Sequence, residues 1–258
     1  MIERTLLLLG EDNIKKLRHA SVLIVGLGGV GAFAAESLCR AGVGKFVLID
    51  GDIVSASNIN RQLLALNSTI GQHKTELMVQ RLRDINPKVE LNVINEFIRD
   101  ERMLNILQTH NTDWVVDAID TLSPKIYLLI HCFHLKRKVV SSMGSGGKFD
   151  PSLIKITDIS QTYNCPLALH IRKQLHKKGI YNGITAVFSP EKIDKSRTVE
   201  EFSENKRTNV GTISYMPALF GLNIASVVIR DIIGVSFQEQ VKDNKYYRNR
   251  KPFPTPLG

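Results

Sequence analysis

Short apolar runs alternate with helix-periodic stretches along the first half of the chain, and that alternation predicts the fold. Val22-Leu23-Ile24-Val25 is continuously apolar and stops at glycines, which reads as a strand buried on both faces. A helical pattern follows from Val30 to Ala41, with Ala32, Ala35, Leu38 and Cys39 on one stripe. Phe46-Val47-Leu48-Ile49 is a second buried strand, stopped by Asp50-Gly51-Asp52. A loop through Arg61 leads to a helix over Lys74–Asp84, closed by Asn86-Pro87. Val89–Ile94 alternates like a strand, Glu101–Gln108 reads as a helix, and Trp114–Ile119 as another buried strand. Pro124 stands near the start of the next helix, where proline is tolerated, and Val139–Ser142 is a further strand.

Strictly alternating strands and helices imply a parallel sheet covered on both faces, so the fold class is a doubly wound α/β sheet with a Rossmann-like nucleotide-binding half. The rest is less regular and reads as a mixed extension of that sheet. Leu153–Thr157 and Ile184–Phe188 look like strands, and they flank a basic helix from Pro166 to Lys178. Glu191–Asn209 carries five acidic and five basic residues, so a mobile surface loop is expected there. With no internal repeat or linker, residues 1–258 are taken as a single domain.

Composition adds limits. Of the 258 residues 43% are apolar, enough for a sizeable core. The run from Ile213 to Ile229 contains Pro217, Asn223 and Ser226 and ends in Arg230-Asp231, so a buried helix is expected rather than a membrane span. The apolar run at Leu6–Leu9 is too short for a signal peptide. Cys39, Cys132 and Cys165 form no Cys-x-x-Cys pair, so neither a zinc knuckle nor a disulfide framework is indicated. A soluble, cytoplasmic protein without a membrane partner is expected. Lys and Arg outnumber Asp and Glu by 34 to 25, a formal charge of +9 that favours an anionic partner without choosing one.

Gly26-Leu27-Gly28-Gly29-Val30-Gly31 lies between the first strand and first helix as Gly-x-Gly-x-x-Gly. The glycines allow a tight turn and bring backbone N–H groups and the helix N-terminus close to phosphate. Asp50 ends the next strand, 19 residues after Gly31, where a carboxylate can accept bonds from ribose hydroxyls. Nicotinamide dehydrogenases share this fingerprint, so the glycines alone do not name the nucleotide. Asp50–Gln62 and Gly71-Gln72-His73-Lys74 add Arg61 and Lys74, cations suited to a triphosphate and a departing pyrophosphate. Asp120 falls at the carboxyl edge of the sheet, where it could hold Mg²⁺.

These motifs, with Asp117-Ala118-Ile119-Asp120, resemble the ubiquitin-activating-like (E1-like) adenylating enzymes over residues 1–145. The resemblance implies an ATP site formed by Gly26, Gly28, Gly29, Gly31, Asp50, Asp52, Asn58, Arg61, Gln62 and Lys74. It implies ribose binding by Asp50, and phosphate contacts by Asn58, Arg61 and Lys74. It makes Arg61, Lys74, Asp120 and Arg4 the catalytic set, with Asp120 supporting the metal. Arg4 falls where the family places an arginine that reaches into a partner subunit, so a homodimer is implied.

Within the group, Arg4–Gly10, Gly144–Pro151, Asp158-Ile159-Ser160 and Pro166-Leu167-Ala168 are similar to the branch of tRNA threonylcarbamoyladenosine dehydratases. That branch implies ATP-dependent activation of the threonine carboxylate on a modified tRNA adenosine, then ring closure with net loss of water. A t6A-containing tRNA would account for the basic segment His170, Arg172, Lys173, His176, Lys177 and Lys178, and for the Lys242–Lys251 tail. A sulfur-transfer protein is a further partner the resemblance allows. Two departures stand out: Cys165 replaces an acidic residue before Pro166, and Lys206–Ser214 lacks a cysteine. The second weakens a thioester route, which intramolecular ring closure does not require. Three other readings stay open: an adenylyltransferase for a small sulfur-carrier or ubiquitin-like protein, a nicotinamide oxidoreductase, and a non-catalytic RNA-binding scaffold.

Overall fold

The computed structural model describes residues 2–192, 198–199 and 209–235. Its centre is a seven-stranded sheet: β1 (Ser21–Val25), β2 (Lys45–Ile49), β3 (Glu90–Ile94), β4 (Trp114–Asp117), β5 (Val139–Ser142), β6 (Lys155–Asp158) and β7 (Thr185–Phe188). The order is β3-β2-β1-β4-β5-β7-β6, and every pairing is parallel except β6 against β7. The mainly parallel, doubly wound architecture with a mixed C-terminal extension is therefore as the sequence pattern predicts.

The apolar runs explain the strands. Val22, Leu23 and Ile24 are fully buried, and register with β2 and β4 places them between helices on both faces. Each such side chain contributes about 1.5–3 kcal/mol by leaving water. One face carries α1 (Glu3–Leu9), α2 (Glu11–His19), α3 (Gly31–Ala41), α4 (Lys74–Ile85) and α8 (Tyr215–Ile232), which share a hydrophobic cluster with Val22, Ile24 and Leu48. The other carries α5 (Asp100–Thr109), α6 (Leu122–His134) and α7 (Pro166–His176), packed on Leu23, Val25 and Val47.

Helix α8 is long and apolar enough to cross a membrane by length and composition. It is instead a core helix: Met216, Phe220 and Ile224 are fully buried, and Gly221 lets it cross α3 closely. A Cβ on Gly221 would stand 2.4 Å from the Val30 carbonyl oxygen. Pro217 likewise lies against Gly29, so α8 braces the glycine turn from behind.

Three details differ from the sequence reading. Trp114–Ile119 stops being strand at Asp117, because the Asp117 side chain folds back to accept the Ile119 N–H at 3.2 Å. Leu153–Thr157 is shifted to Lys155–Asp158, since Asp150 caps a tight turn over Pro151–Leu153. The pattern also did not announce α1 and α2, nor a short ribbon of β8 (Thr198–Val199) and β9 (Asn209–Val210). Most of the segment expected to be a mobile loop, and all of the Lys242–Lys251 tail, lie outside the described residues.

Candidate nucleotide-binding site

The strand order reverses between β1 and β4, and the turns after both strands open a crevice at the carboxyl edge of the sheet. Gly26 has φ +93°, and a Cβ there would stand 2.7 Å from the Ala118 carbonyl oxygen. A Cβ on Gly31 would fall 1.8 Å from the Gly26 carbonyl oxygen, so only glycine lets α3 start this close to the turn. The first N–H groups of α3 face the crevice as a result.

Asp50 ties the second motif to this turn. One carboxylate oxygen accepts the Leu27 N–H at 2.6 Å and the other accepts the Asp52 N–H at 2.8 Å. Burial pushes its pKa above the usual aspartate value, while the nearby Lys74 charge and the two N–H bonds pull the other way. Lys74 opens α4 with its side chain 5% exposed, and donates to the half-exposed Asp52 carboxylate at 2.8 Å.

Arg61 and Gln62 close the turn from the loop side. The ideal Cβ of Gly29 is 3.1 Å from the Arg61 carbonyl oxygen, and that of Gly28 is 3.6 Å from Gln62 Nε2. Arg61 Nη1 donates to the Ser57 carbonyl and to Asn60 Oδ1, both at 2.8 Å, which presets the fork. Asn58 supports both residues: its carbonyl accepts the Arg61 and Gln62 N–H groups at 3.1 and 2.9 Å, and its Oδ1 accepts the Ser55 N–H. Gln62 Oε1 is buried with no partner among the described residues, an acceptor that a bound nucleotide's donor would satisfy.

Asp120 stands exposed just past β4. The turn beneath it is fixed by a fully buried ion pair: Lys125 Nζ lies 2.8 Å from Asp117 Oδ2 and donates to the Ile119 carbonyl at 3.0 Å. Ser141 donates to the same carboxylate at 2.6 Å. Among the described residues there is no group of three or more His, Cys, Asp or Glu placed to hold a metal. One rim carboxylate is nonetheless the donor set Mg²⁺ takes when phosphates and water complete its shell.

The crevice thus brings together the glycines, Asp50, Asp52, Asn58, Arg61, Gln62 and Lys74, with Asp120 on its other wall. Arg4 is not among them. It is exposed on α1, whose preceding residue Ile2 packs 3.9 Å from the ideal Cβ of Gly42, at the far end of α3 from the glycine turn.

The family model described as the ThiF family matches residues 2–255. The chain belongs to the ThiF family. It is 36% identical over 254 residues to tRNA threonylcarbamoyladenosine dehydratase of Bacillus subtilis, covering 93% of this chain and 97% of that relative. The crystal structure of Escherichia coli tRNA N6-threonylcarbamoyladenosine dehydratase in complex with ATP superposes with a TM-score of 0.80 at 32% identity, covering 89% of this chain and 92% of that one. Molybdopterin-synthase adenylyltransferase of Escherichia coli is 34% identical over 154 residues, 60% of this chain and 61% of that relative.

In this ThiF-family chain several buried polar residues escaped the sequence reading. Lys125 sits one helical turn past Asp117-Ala118-Ile119-Asp120, a spacing that signals a partner only once α6 is known to face inward. Lys148 is buried in the Gly144–Pro151 segment, donates to the Glu191 carbonyl, and burial lowers its pKa below that of an ordinary lysine. That segment meets the second motif at the crevice mouth, where Gly147 N–H bonds the Gly211 carbonyl at 2.8 Å and Asn60 bonds the Thr212 carbonyl at 3.0 Å. Cys165 is buried just before α7.

On α7 the stripe of Leu167, Ile171 and Leu175 faces the core as its spacing predicts. Arg172 departs from the expectation of a freely exposed cation, because its guanidinium donates to Thr162 Oγ1 and is half buried. His170, Lys173, His176, Lys177 and Lys178 are exposed.

Proposed function

We propose that this chain is an ATP-dependent tRNA threonylcarbamoyladenosine dehydratase, built as one adenylating domain over residues 1–258. The observation that carries the reading is the Asp50–Leu27 bond, which fastens the ribose-facing carboxylate, the cationic loop and the glycine turn into one crevice. The dehydratase relatives support tRNA as the substrate class.

In the mechanism, Asp50 accepts the ribose hydroxyls and the α3 N-terminus meets the phosphates. Gln62 Oε1 takes a donor from the nucleotide, and Asp52 holds Lys74 until the triphosphate takes its place. The t6A carboxylate attacks the α-phosphorus, an acyl–AMP bond forms, and the bond to pyrophosphate breaks. Arg61, Lys74 and the Asn58 amide offset the charge that builds on the departing pyrophosphate. A nucleophile within the same side chain then attacks the activated carbonyl and AMP leaves, so the net change is loss of water from the nucleoside. Asp120 would hold Mg²⁺, which supplies charge neutralisation at the phosphates.

Arg4 completes the site from a second subunit in a homodimer. Leu7 and Leu8 of α1 are 86% and 82% exposed, apolar surface that a neighbouring copy would cover. The setting is cytoplasmic, and a sulfur-transfer protein is the further partner. Incubating t6A-containing tRNA with the protein and ATP tests the function: nucleoside analysis should show a product lighter by one water, with AMP and pyrophosphate released. ADP and phosphate as products would refute the adenylation mechanism.

The adenylyltransferase for a sulfur carrier is the second reading, favoured by the likeness of the nucleotide half to molybdopterin-synthase adenylyltransferase. Pyrophosphate exchange that depends on a Gly-Gly-ended protein instead of tRNA would select it.

A further inference from the structure

At the amino-terminal edge of the sheet, opposite the glycine turn, a cleft of about 510 Å³ opens between α2, the start of β4 and the α6–β5 turn. Four Lys or Arg residues line it against two Asp. Both carboxylates are engaged: Asp113 accepts from the Ser21 N–H and hydroxyl at 2.8 Å, and Asp231 from Trp114 Nε1 at 2.9 Å and Lys138 at 2.7 Å. Arg137 is tied to the Leu107 carbonyl. Lys16 reaches only the neutral Asn13 Oδ1, and Lys136 makes no ion pair among the described residues. Lys16 stands in the last turn of α2 and Lys136 just past the end of α6, so each meets a helix C-terminal dipole of about half a charge, which a full ammonium exceeds.

Exposed rings stand outside the cleft on the side of Lys136. Phe133 is 39% exposed, and its carbonyl accepts the Lys136 N–H at 3.1 Å, so one turn carries both side chains. The Phe133 ring edge lies 3.6 Å from the ideal Cβ of Gly183, two residues beyond Tyr181. Tyr181 is 62% exposed, with its ring 5.0 Å from that of His176. Part-exposed rings near Lys136 fit a nucleic-acid strand, whose bases stack on a free face while its phosphates meet the cations. An isolated phosphorylated side chain would instead call for a free arginine fork, and one arm of Arg137 already donates to the Leu107 carbonyl.

We propose that this rim is a second RNA contact, in which nucleotides stack on Phe133 and Tyr181 and their phosphates enter the cleft at Lys16 and Lys136. The proposal rests on the tRNA reading above and extends it. Five-residue strands span about 16 Å, so an RNA whose nucleoside reaches the glycine turn must run roughly 20 Å along the α6–α7 face to meet the rim. Lys173 and Lys177, on α7 and just past it, are exposed. Recognition would then extend well beyond the reacting nucleoside.

The test uses full-length t6A tRNA with the Lys16→Glu/Lys136→Glu double variant and, separately, Tyr181→Ser. Binding is measured as a function of salt beside ATP affinity. The charge reversal should weaken tRNA binding by about tenfold or more and reduce the salt slope by about two, with ATP affinity unchanged. Tyr181→Ser should weaken tRNA by about tenfold with an unchanged salt slope, as loss of a stacking face does. Wild-type affinity and slope in the double variant would overturn the proposal. A wild-type protein that binds tRNA but removes no water would instead refute the dehydratase reading, and the same salt slopes would still decide the rim.

Discussion

The Asp52 carboxylate lies 2.8 Å from the Lys74 ammonium, and Lys74 is buried while Asp52 is half exposed. The exposed partner is the one a triphosphate can displace, which leaves the buried cation to serve the phosphates. Lys74→Ala should therefore lower single-turnover AMP formation by about 10²-fold, as for loss of one transition-state donor. Asp52→Ala should cost less stability than breaking a fully buried pair, because solvent already screens that carboxylate and Asp50 still faces the Lys74 charge. A turnover rate within twofold of wild type in Lys74→Ala would remove it from the chemical step.

Asp50 gives a pH prediction with a definite sign. Its folded pKa lies above the usual aspartate value, so its contribution to apo stability is full below that value and is lost as pH rises through the raised one. Ribose binding runs the opposite way, since both carboxylate oxygens must accept. ATP affinity should fall as the solution is acidified, beginning at a higher pH than an ordinary aspartate would give. Asp50→Ala should bind ATP weakly with that pH dependence gone. Titration of a fluorescent ATP analogue across the range checks it, and an identical profile in the variant would exclude Asp50.

Asp117 and Lys125 are both fully buried, so removing one partner leaves an uncompensated charge in the core. Lys125→Met should destabilise the protein by about 3–5 kcal/mol in urea denaturation. Adding Asp117→Asn should recover much of the loss, because the orphaned charge is gone. A double variant whose loss equals the sum of the two single-variant losses would show that the pair is not coupled.

The contrast between these pairs shows what sequence could and could not reveal. Strands β1, β2, β4 and β5 were legible because a strand buried on both faces has no polar side to disguise it. The glycine turn and Asp50 were legible because their chemistry dictates their spacing along the chain. Lys125 and Lys148 were not, since a lysine's burial depends on which face its element turns inward. Arg172 looked like a surface cation for the same reason, and only the fold shows Thr162 beneath it. Helices α1 and α2 escaped because a short apolar run flanked by charges is ambiguous until the core it covers is known. The trans role of Arg4 remains a proposal, because it needs a second chain.

That second chain can be tested by complementation. If Arg4 acts in a neighbour's crevice, Arg4→Ala and Arg61→Ala protomers each retain what the other lacks. Mixing the two inactive variants and allowing subunit exchange should restore about a quarter of wild-type activity, since about half the dimers are then heterodimers and each has one intact site of two. AMP release measured against mixing ratio should peak near equal amounts. No recovery, with exchange shown independently by labelled subunits, would place Arg4 outside the catalytic set.

The exposed cations of α7 can be separated from the nucleotide crevice in the same way. The buried stripe of Leu167, Ile171 and Leu175 fixes the helix on the core, and Lys173, Lys177 and Lys178 then point to solvent. Arg172 is left in place, since replacing it would also unseat Thr162. Contacts between such lysines and a phosphate backbone position RNA without reading its sequence, so their loss should affect all substrate tRNAs alike. The Lys173→Ala/Lys177→Ala/Lys178→Ala variant should raise the tRNA KM by about tenfold and lower the salt slope by about one per phosphate contact removed. The KM for ATP should not move, because no α7 residue lines the crevice between Gly26 and Asp120. Thermal stability should also hold, since all three side chains are exposed. An unchanged salt slope would assign these lysines to ordinary solvation and leave the remaining basic surfaces to bind the tRNA.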